Sequence, residues 1–237
     1  MKVSFFLLLL FLNVPLHAID FYSPGDTLYV WAEGGLRMRT APGLKADKIC
    51  TIPDGAALVA MEYKYSLVDS FSVTIFESNG DHPGFDLEGF WLQVRYKDQI
   101  GYVFDGYLSH MQTMPLFDGL LDDTLDCHVE YLRKNHKLVH QVGSNQWIDE
   151  EKYVLYLFDS GYQVQISGYK AWDKHVVFPG WLSLAEGYLI FVRSLPDQPR
   201  KLIEAGPDYL LFELEMGSVL IKRAAGYLIY FEQHDPC

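Results

Sequence analysis

From Thr27 onward the chain alternates apolar and polar residues with a period of two, and glycine, proline, asparagine and aspartate interrupt that alternation at short intervals. Period two is the repeat of a strand with one buried face; a helix buries positions three and four apart. In 27–32, Leu28, Val30 and Ala32 share one side. Gly34-Gly35 ends that run, after which Leu36, Met38 and Thr40 fall on one face and Arg37 and Arg39 on the other. Ala41-Pro42-Gly43 reads as a turn, because proline presets its own φ and glycine accepts the positive φ that follows. Further strands are expected at Lys48–Ile52, 57–63, 91–96 and 101–104, with turns at Pro53-Asp54-Gly55 and around Lys97-Asp98-Gln99. Aromatic residues make up 15% of the chain, a share that suits pleated, half-buried surfaces.

The pattern pauses at 111–123 ("MQTMPLFDGLLDD"), whose proline, glycine and aspartates read as a linker, and then returns. Segments 128–132 and 137–142 flank Lys134-Asn135-His136, and 153–158 and 162–166 flank Asp159-Ser160-Gly161. Segments 182–184 and 188–192 flank Glu186-Gly187, 210–214 and 219–222 flank Met216-Gly217, and 227–231 closes the series. Short strands at this spacing predict an antiparallel meander, as a barrel or a two-layer sandwich. A helix over 122–135, with Leu125, Val129 and Leu132 on one face, is the alternative reading of the first of these pairs. The expected organisation is a signal peptide at 1–18, a first domain at 19–110, a linker at 111–123 and a second all-β domain at 124–237. Each half has its own hydrophobic periodicity and is expected to fold alone.

Several functions are disfavoured at this level. The net charge of -12 offers no basic stripe to replace phosphate counterions, so no nucleic acid is expected as a partner. Lys2, the apolar run from Phe5 to Leu12 and the breaker ending in Ala18 form a secretory signal, with cleavage expected after Ala18. That run is shorter than the roughly 20 residues a bilayer span needs, and no later segment qualifies as transmembrane. The expected location is periplasmic or secreted. Three cysteines remain, Cys50, Cys127 and Cys237, which allow at most one intramolecular bridge. None stands in a spacing that builds a clustered metal site, so neither metal nor cofactor is expected. The phosphate-loop, dinucleotide, zinc-protease and nucleophile-elbow signatures are absent from the second half.

Two stretches carry a resemblance. "GLRMRTAPGLKADKICTIPDGAAL" is similar to the opening of a bacterial SH3-like domain, and "GFWLQVRYKDQIGYVFDGYLS" to its closing half. The matching positions are Leu36, Arg39, Pro42, Gly43, Gly55, Trp91, Val94, Tyr96, Gly101, Tyr102, Val103, Tyr107 and Leu108, within residues 27–110. The resemblance implies a small barrel and, as its commonest role, recognition of a cell-wall peptide or protein. This sequence departs from the family where 64–89 replaces a compact loop. That insertion holds an expected strand at 71–76 and turn signals at Asn79-Gly80 and His82-Pro83-Gly84, and reads as a hairpin built into the barrel. Strand 91–96 has large apolar groups on both faces, so the insertion is expected to pack on it. Trp91 and Val103 are expected in the barrel core, Tyr102 half exposed, and Arg37 and Arg39 solvated or paired across a strand.

The fold class expected is therefore all-β, an SH3-like barrel with an inserted hairpin followed by an antiparallel meander. The function expected is that of an exported, non-enzymatic binding protein for a cell-envelope peptide or protein, its ligand-binding residues unassigned. One alternative is a papain-like cell-wall peptidase or amidase, with Cys127 as nucleophile and His175 as its base. Asp126-Cys127-His128 departs from that family's motif, and Cys127 reads more simply as a small buried side chain and His175 as a surface one. A small-ligand carrier in the second half is the other alternative. His136 and His140, four residues apart across a turn, do not share a helical face and are not read as metal ligands.

Overall fold

The computed structural model of the chain describes residues 22–61, 70–78, 83–115, 126–169, 171–180, 182–196 and 199–234. The signal segment, the turn Asn79-Gly80 with His82, residues 116–123 of the linker and Cys237 lie outside them. The fold is mostly β: two antiparallel sheets, one in each half, with few helices.

The first sheet contains β1 (Thr27–Val30), β2 (Leu36–Arg39), β3 (Lys48–Ile52), β4 (Ala57–Ala60), β5 (Ser70–Phe76), β6 (Phe85–Tyr96), β7 (Gln99–Phe104) and β8 (Leu108–Ser109). Its order is β3-β2-β7-β6-β4-β1-β8, with β5 pairing off β6. The expected alternation holds in β1, β2 and β6. Leu28, Val30, Leu36, Met38, Leu92, Val94 and Val103 meet in one buried core with Ile52, Leu58 and Leu108. Gly101 lets β7 run close to β2, since a Cβ there would stand 2.7 Å from the Arg39 carbonyl oxygen and from Met38 Cγ. Arg39 is buried and donates from its guanidinium to the Ala46 carbonyl at 2.6 Å, while Arg37 is exposed.

β6 spans twelve residues, against four to six for the barrel strands β1–β4 and β7. Its second half, 91–96, pairs with β7, and its first half, 85–90, continues outward as one arm of the β5–β6 hairpin. The insertion is thus an extension of a barrel strand. Trp91 is only half-buried, where a core position was expected: Leu92 and Val94 take the core parity and Trp91 faces the other side. Phe71 of β5 meets it there, 6.2 Å from the Trp91 ring and 5.3 Å edge-on to Phe104.

The second half contains α1 (Cys127–Asn135), β9 (Leu138–Ile148), β10 (Glu151–Phe158), β11 (Gln163–Tyr169), β12 (Ala171–Pro179), α2 (Leu184–Ser194), β13 (Lys201–Gly206), β14 (Tyr209–Leu214), β15 (Gly217–Ala224) and β16 (Tyr227–His234). The sheet order is β13-β14-β15-β16-β12-β11-β10-β9, two four-stranded meanders joined where β12 pairs with β16. The turns expected at Asp159-Ser160-Gly161 and Met216-Gly217 join β10 to β11 and β14 to β15. One face is apolar along the central strands except at the buried Lys174 and Glu232, and Val129 and Leu132 of α1 and Leu189, Ile190 and Phe191 of α2 pack into that core.

Segments expected as strands are helical in two places, at the first of which a helix over 122–135 was the alternative reading. Residues 128–132 lie in α1, because the Asp126 carboxylate caps the backbone N–H groups of His128 and Val129 at 3.0 and 3.2 Å. The segments 182–184 and 188–192, expected as a hairpin about Glu186-Gly187, form α2 and its entry. Ser183 and Glu186 close a reciprocal capping box, and Gly187 is a contact point: a Cβ there would stand 2.7 Å from Ile221 Cγ2 of β15.

Packing joins the halves. Trp31, Met111 and Met114 belong to the hydrophobic core of the second half. Arg193, buried at the end of α2, donates to the Met114 carbonyl at 2.8 Å, pairs with Asp54 and lies over the Trp31 ring at 5.3 Å. Tyr131 of α1 donates to the Gln112 carbonyl at 2.6 Å.

Candidate functional site

The barrel's closing aromatics do not form an open shelf. Trp91 is faced by Phe71, and the Tyr102 hydroxyl accepts from Gln93 Nε2 at 3.3 Å. Concave surface lies instead at the far end of the inserted hairpin. There Phe76 of β5 stands 5.7 Å from Phe212 and 6.1 Å from Tyr188, and Phe85 of β6 stands 5.4 Å from Tyr188. These rings anchor the hairpin on the second half and leave a cleft of about 790 Å³ beside them. Thr74, Glu77, Asp86 and Glu88 line one wall, and Leu184, Ala205, Gly206 and Leu210 line the other. Alternation explains the division: Val73, Ile75 and Leu87 turn inward, while Thr74, Asp86 and Glu88 face solvent. Three carboxylates over phenylalanine rings suit a ligand with cationic groups on an apolar stem.

A second feature is buried. Lys174 of β12 donates to Asp126 Oδ2 at 2.9 Å and to Glu232 Oε2 at 2.8 Å. Tyr230 donates to the same Glu232 oxygen at 2.9 Å, and His234 Nε2 stands 2.6 Å from Glu232 Oε1. Burial alone would raise both carboxyl pKa values. The Lys174 charge and hydrogen bond together with His128 at Asp126, and together with His234 at Glu232, outweigh it. Glu232 is held at about 2 and Asp126 well below the usual carboxylate range. Burial would lower Lys174, and the two carboxylates hold it above its ordinary value.

Beside this network Cys127 Sγ lies 3.5 Å from His128 Nδ1, and Asp126 Oδ1 lies 3.6 Å from the same nitrogen. Burial pushes His128 down, but the Cys127 sulfur and the Asp126 carboxylate outweigh burial and the opposing Lys174 charge, raising it to about 9. One ligand atom from each of Asp126, Cys127 and His128 falls within 4.8 Å of the others. The Lys174 ammonium beside that spot opposes a bound cation.

Cys127 is part-exposed and Cys50 likewise, and both are free thiols. His175 does not face Cys127. It is exposed on the side of β12 opposite Lys174, with its ring 4.4 Å from Phe231. His136 caps the end of α1 with its ring tilted against Tyr162 at 4.3 Å, and His140 is exposed in β9. The roles of Lys174 and its two carboxylate partners went unread in the sequence, because Lys174 reaches Asp126 across 48 residues and Glu232 from a different strand, which leaves no local spacing. One signal was present: Lys174 and Glu232 occupy core-parity positions beside Val176, Phe178, Leu228 and Tyr230. A charge at such a position needs a buried partner.

Comparison with known proteins agrees with the barrel and is silent on the rest. The family model described as Bacterial SH3 domain matches residues 34–109, and nothing is recognised for the C-terminal part. No curated protein and no solved structure matches the chain. The matched span runs from the turn before β2 to the end of β8 and takes in the inserted hairpin. Residues 34–109 of this chain are a bacterial SH3 domain.

Proposed function

We propose that the chain is an exported, non-enzymatic binding protein that recognises a peptide or protein of the cell envelope, with the cleft beside the inserted hairpin as its contact surface. Bacterial SH3 domains are typically cell-wall binding modules. The observation that carries the reading to a place on the molecule is the cleft itself, because one of its walls is the extension that distinguishes this barrel from its family. Its volume of about 790 Å³ is within the range of ligand pockets, roughly 300–1,000 Å³. Glu77, Asp86 and Glu88 select a ligand bearing amine or guanidinium groups. The export step rests on Lys2, the Phe5 to Leu12 run and Ala18.

The test is calorimetric titration of the chain with soluble cell-wall peptides, and in a second arm with solubilised envelope proteins. Binding in either arm is expected to weaken at least about ten-fold in an Asp86→Lys/Glu88→Lys double variant, a loss of ~1.4 kcal/mol. Binding that the double variant leaves unchanged would move the site elsewhere, and no binding in either arm would refute the reading.

A further inference from the structure

Hydrogen-bond arithmetic at the buried end of α2 fixes the tautomer of His128. The Ser194 hydroxyl donates to the Ile190 carbonyl at 2.8 Å. A hydroxyl has one proton to give, so at 3.0 Å from His128 Nε2 the same oxygen accepts. Nε2 therefore carries hydrogen, and the neutral ring keeps its lone pair on Nδ1. The groups facing that lone pair are Cys127 Sγ at 3.5 Å and Asp126 Oδ1 at 3.6 Å. The Asp126 carboxylate is committed to two helix N–H groups and to Lys174, which leaves the thiol as the proton donor to Nδ1.

We propose that Cys127 is a reactive thiol that exchanges with small disulfides, and that His128 takes and returns the proton of the exchange. When the proton passes to Nδ1, the sulfur becomes an anion beside an imidazolium, at the N-terminus of α1, with the Lys174 charge close by. The sulfur attacks one sulfur of the incoming disulfide, a new S–S bond forms as the old one breaks, and the departing thiolate takes the proton from Nδ1. The products are a mixed disulfide on Cys127 and one free small thiol. Cys127 is part-exposed, which gives the reagent access, while His128 and Ser194 are fully buried and hold the ring still. Ser194 is a positioning residue, since it acts only through His128. This inference does not depend on the binding reading above.

The test compares two thiols in one molecule. The chain carrying Cys237→Ser is treated at neutral pH with hydroxyethyl disulfide, and modification of Cys127 and Cys50 is followed by peptide mass mapping. Cys127 is expected to react at least about ten-fold faster than Cys50. In Ser194→Ala the rate at Cys127 should fall towards that of Cys50. A merely structural role for Ser194 predicts the opposite, because a loosened core exposes Cys127 and speeds it. Equal rates at the two cysteines would overturn the proposal, as would an unchanged ratio in Ser194→Ala. So would Zn²⁺ that survives dialysis and shields Cys127, which would make the cluster a cation site.

Discussion

Lys174 is the residue on which the second half's polar interior turns. It stands between two buried carboxylates at 2.9 and 2.8 Å, and each of them has other donors that fix its position. Lys174→Met would leave Asp126 and Glu232 buried without their shared cation, at a cost of about 3–5 kcal/mol by urea titration. The same network sets a pH profile. The depressed carboxyls contribute stability that is present above their unfolded values and lost as pH falls through the folded ones, from the ordinary 4.5 towards about 2 for Glu232. His128 is raised, so its contribution is complete below 6.5 and lost as pH rises through about 9. The melting temperature is therefore expected to plateau between about pH 5 and 6.5 and decline on both sides. A profile flat from pH 3 to 9 would contradict these assignments, and Lys174→Met should flatten the acid limb. Gly101 offers a test inside the barrel. Gly101→Ala places a methyl against the Arg39 carbonyl oxygen, and overpacking there is expected to cost about 1–3 kcal/mol.

At the scale of elements, the strands were legible wherever period two met a turn signal. β3 falls on Lys48–Ile52 as expected, and β10, β11, β14, β15 and β16 follow their alternations. Of the helices, α1 was legible as the alternative reading over 122–135, and α2 was not. In α2 the apolar residues run almost without a break, since the helix is buried on nearly all sides, and Glu186-Gly187 imitates a turn. The deciding signal was Ser183 with Glu186 three residues on. For α1 the carboxylate of Asp126 before the apolar Val129 and Leu132 was the equivalent mark. The inserted hairpin was anticipated to pack on the barrel, and Phe71 does so against Trp91 and Phe104. Its reach to Tyr188 and Phe212 was not legible, because no local pattern says how far a strand extends past its barrel. Phe76→Ser is expected to cost more than the ~1 kcal/mol of an ordinary surface change, by removing two ring contacts between the halves. A loss confined to tenths of that figure would mean that the hairpin is anchored elsewhere.

Across the whole molecule, the two halves meet over residues that belong to neither pattern alone. Trp31 leaves the end of β1 and enters the second core, where Arg193 covers its ring and ties Asp54 to Met114. A charged side chain so deeply placed is expected to make unfolding of the halves concerted, and Arg193→Met should lower the melting temperature seen by probes in both. Two separate transitions in the parent chain would contradict this. The same joint frames the cleft, since the hairpin wall and the wall from α2, β13 and β14 keep their spacing only while the halves are docked. Recognition through that cleft is tested most directly by site-specific photo-crosslinking in the native envelope. A photoreactive side chain at Thr74, on the cleft wall, is expected to trap a wall peptide or an envelope protein. The same group at Lys134, exposed on α1 away from the cleft, is expected to trap neither. Adducts from Lys134 and not from Thr74, or the same adducts from both, would contradict it.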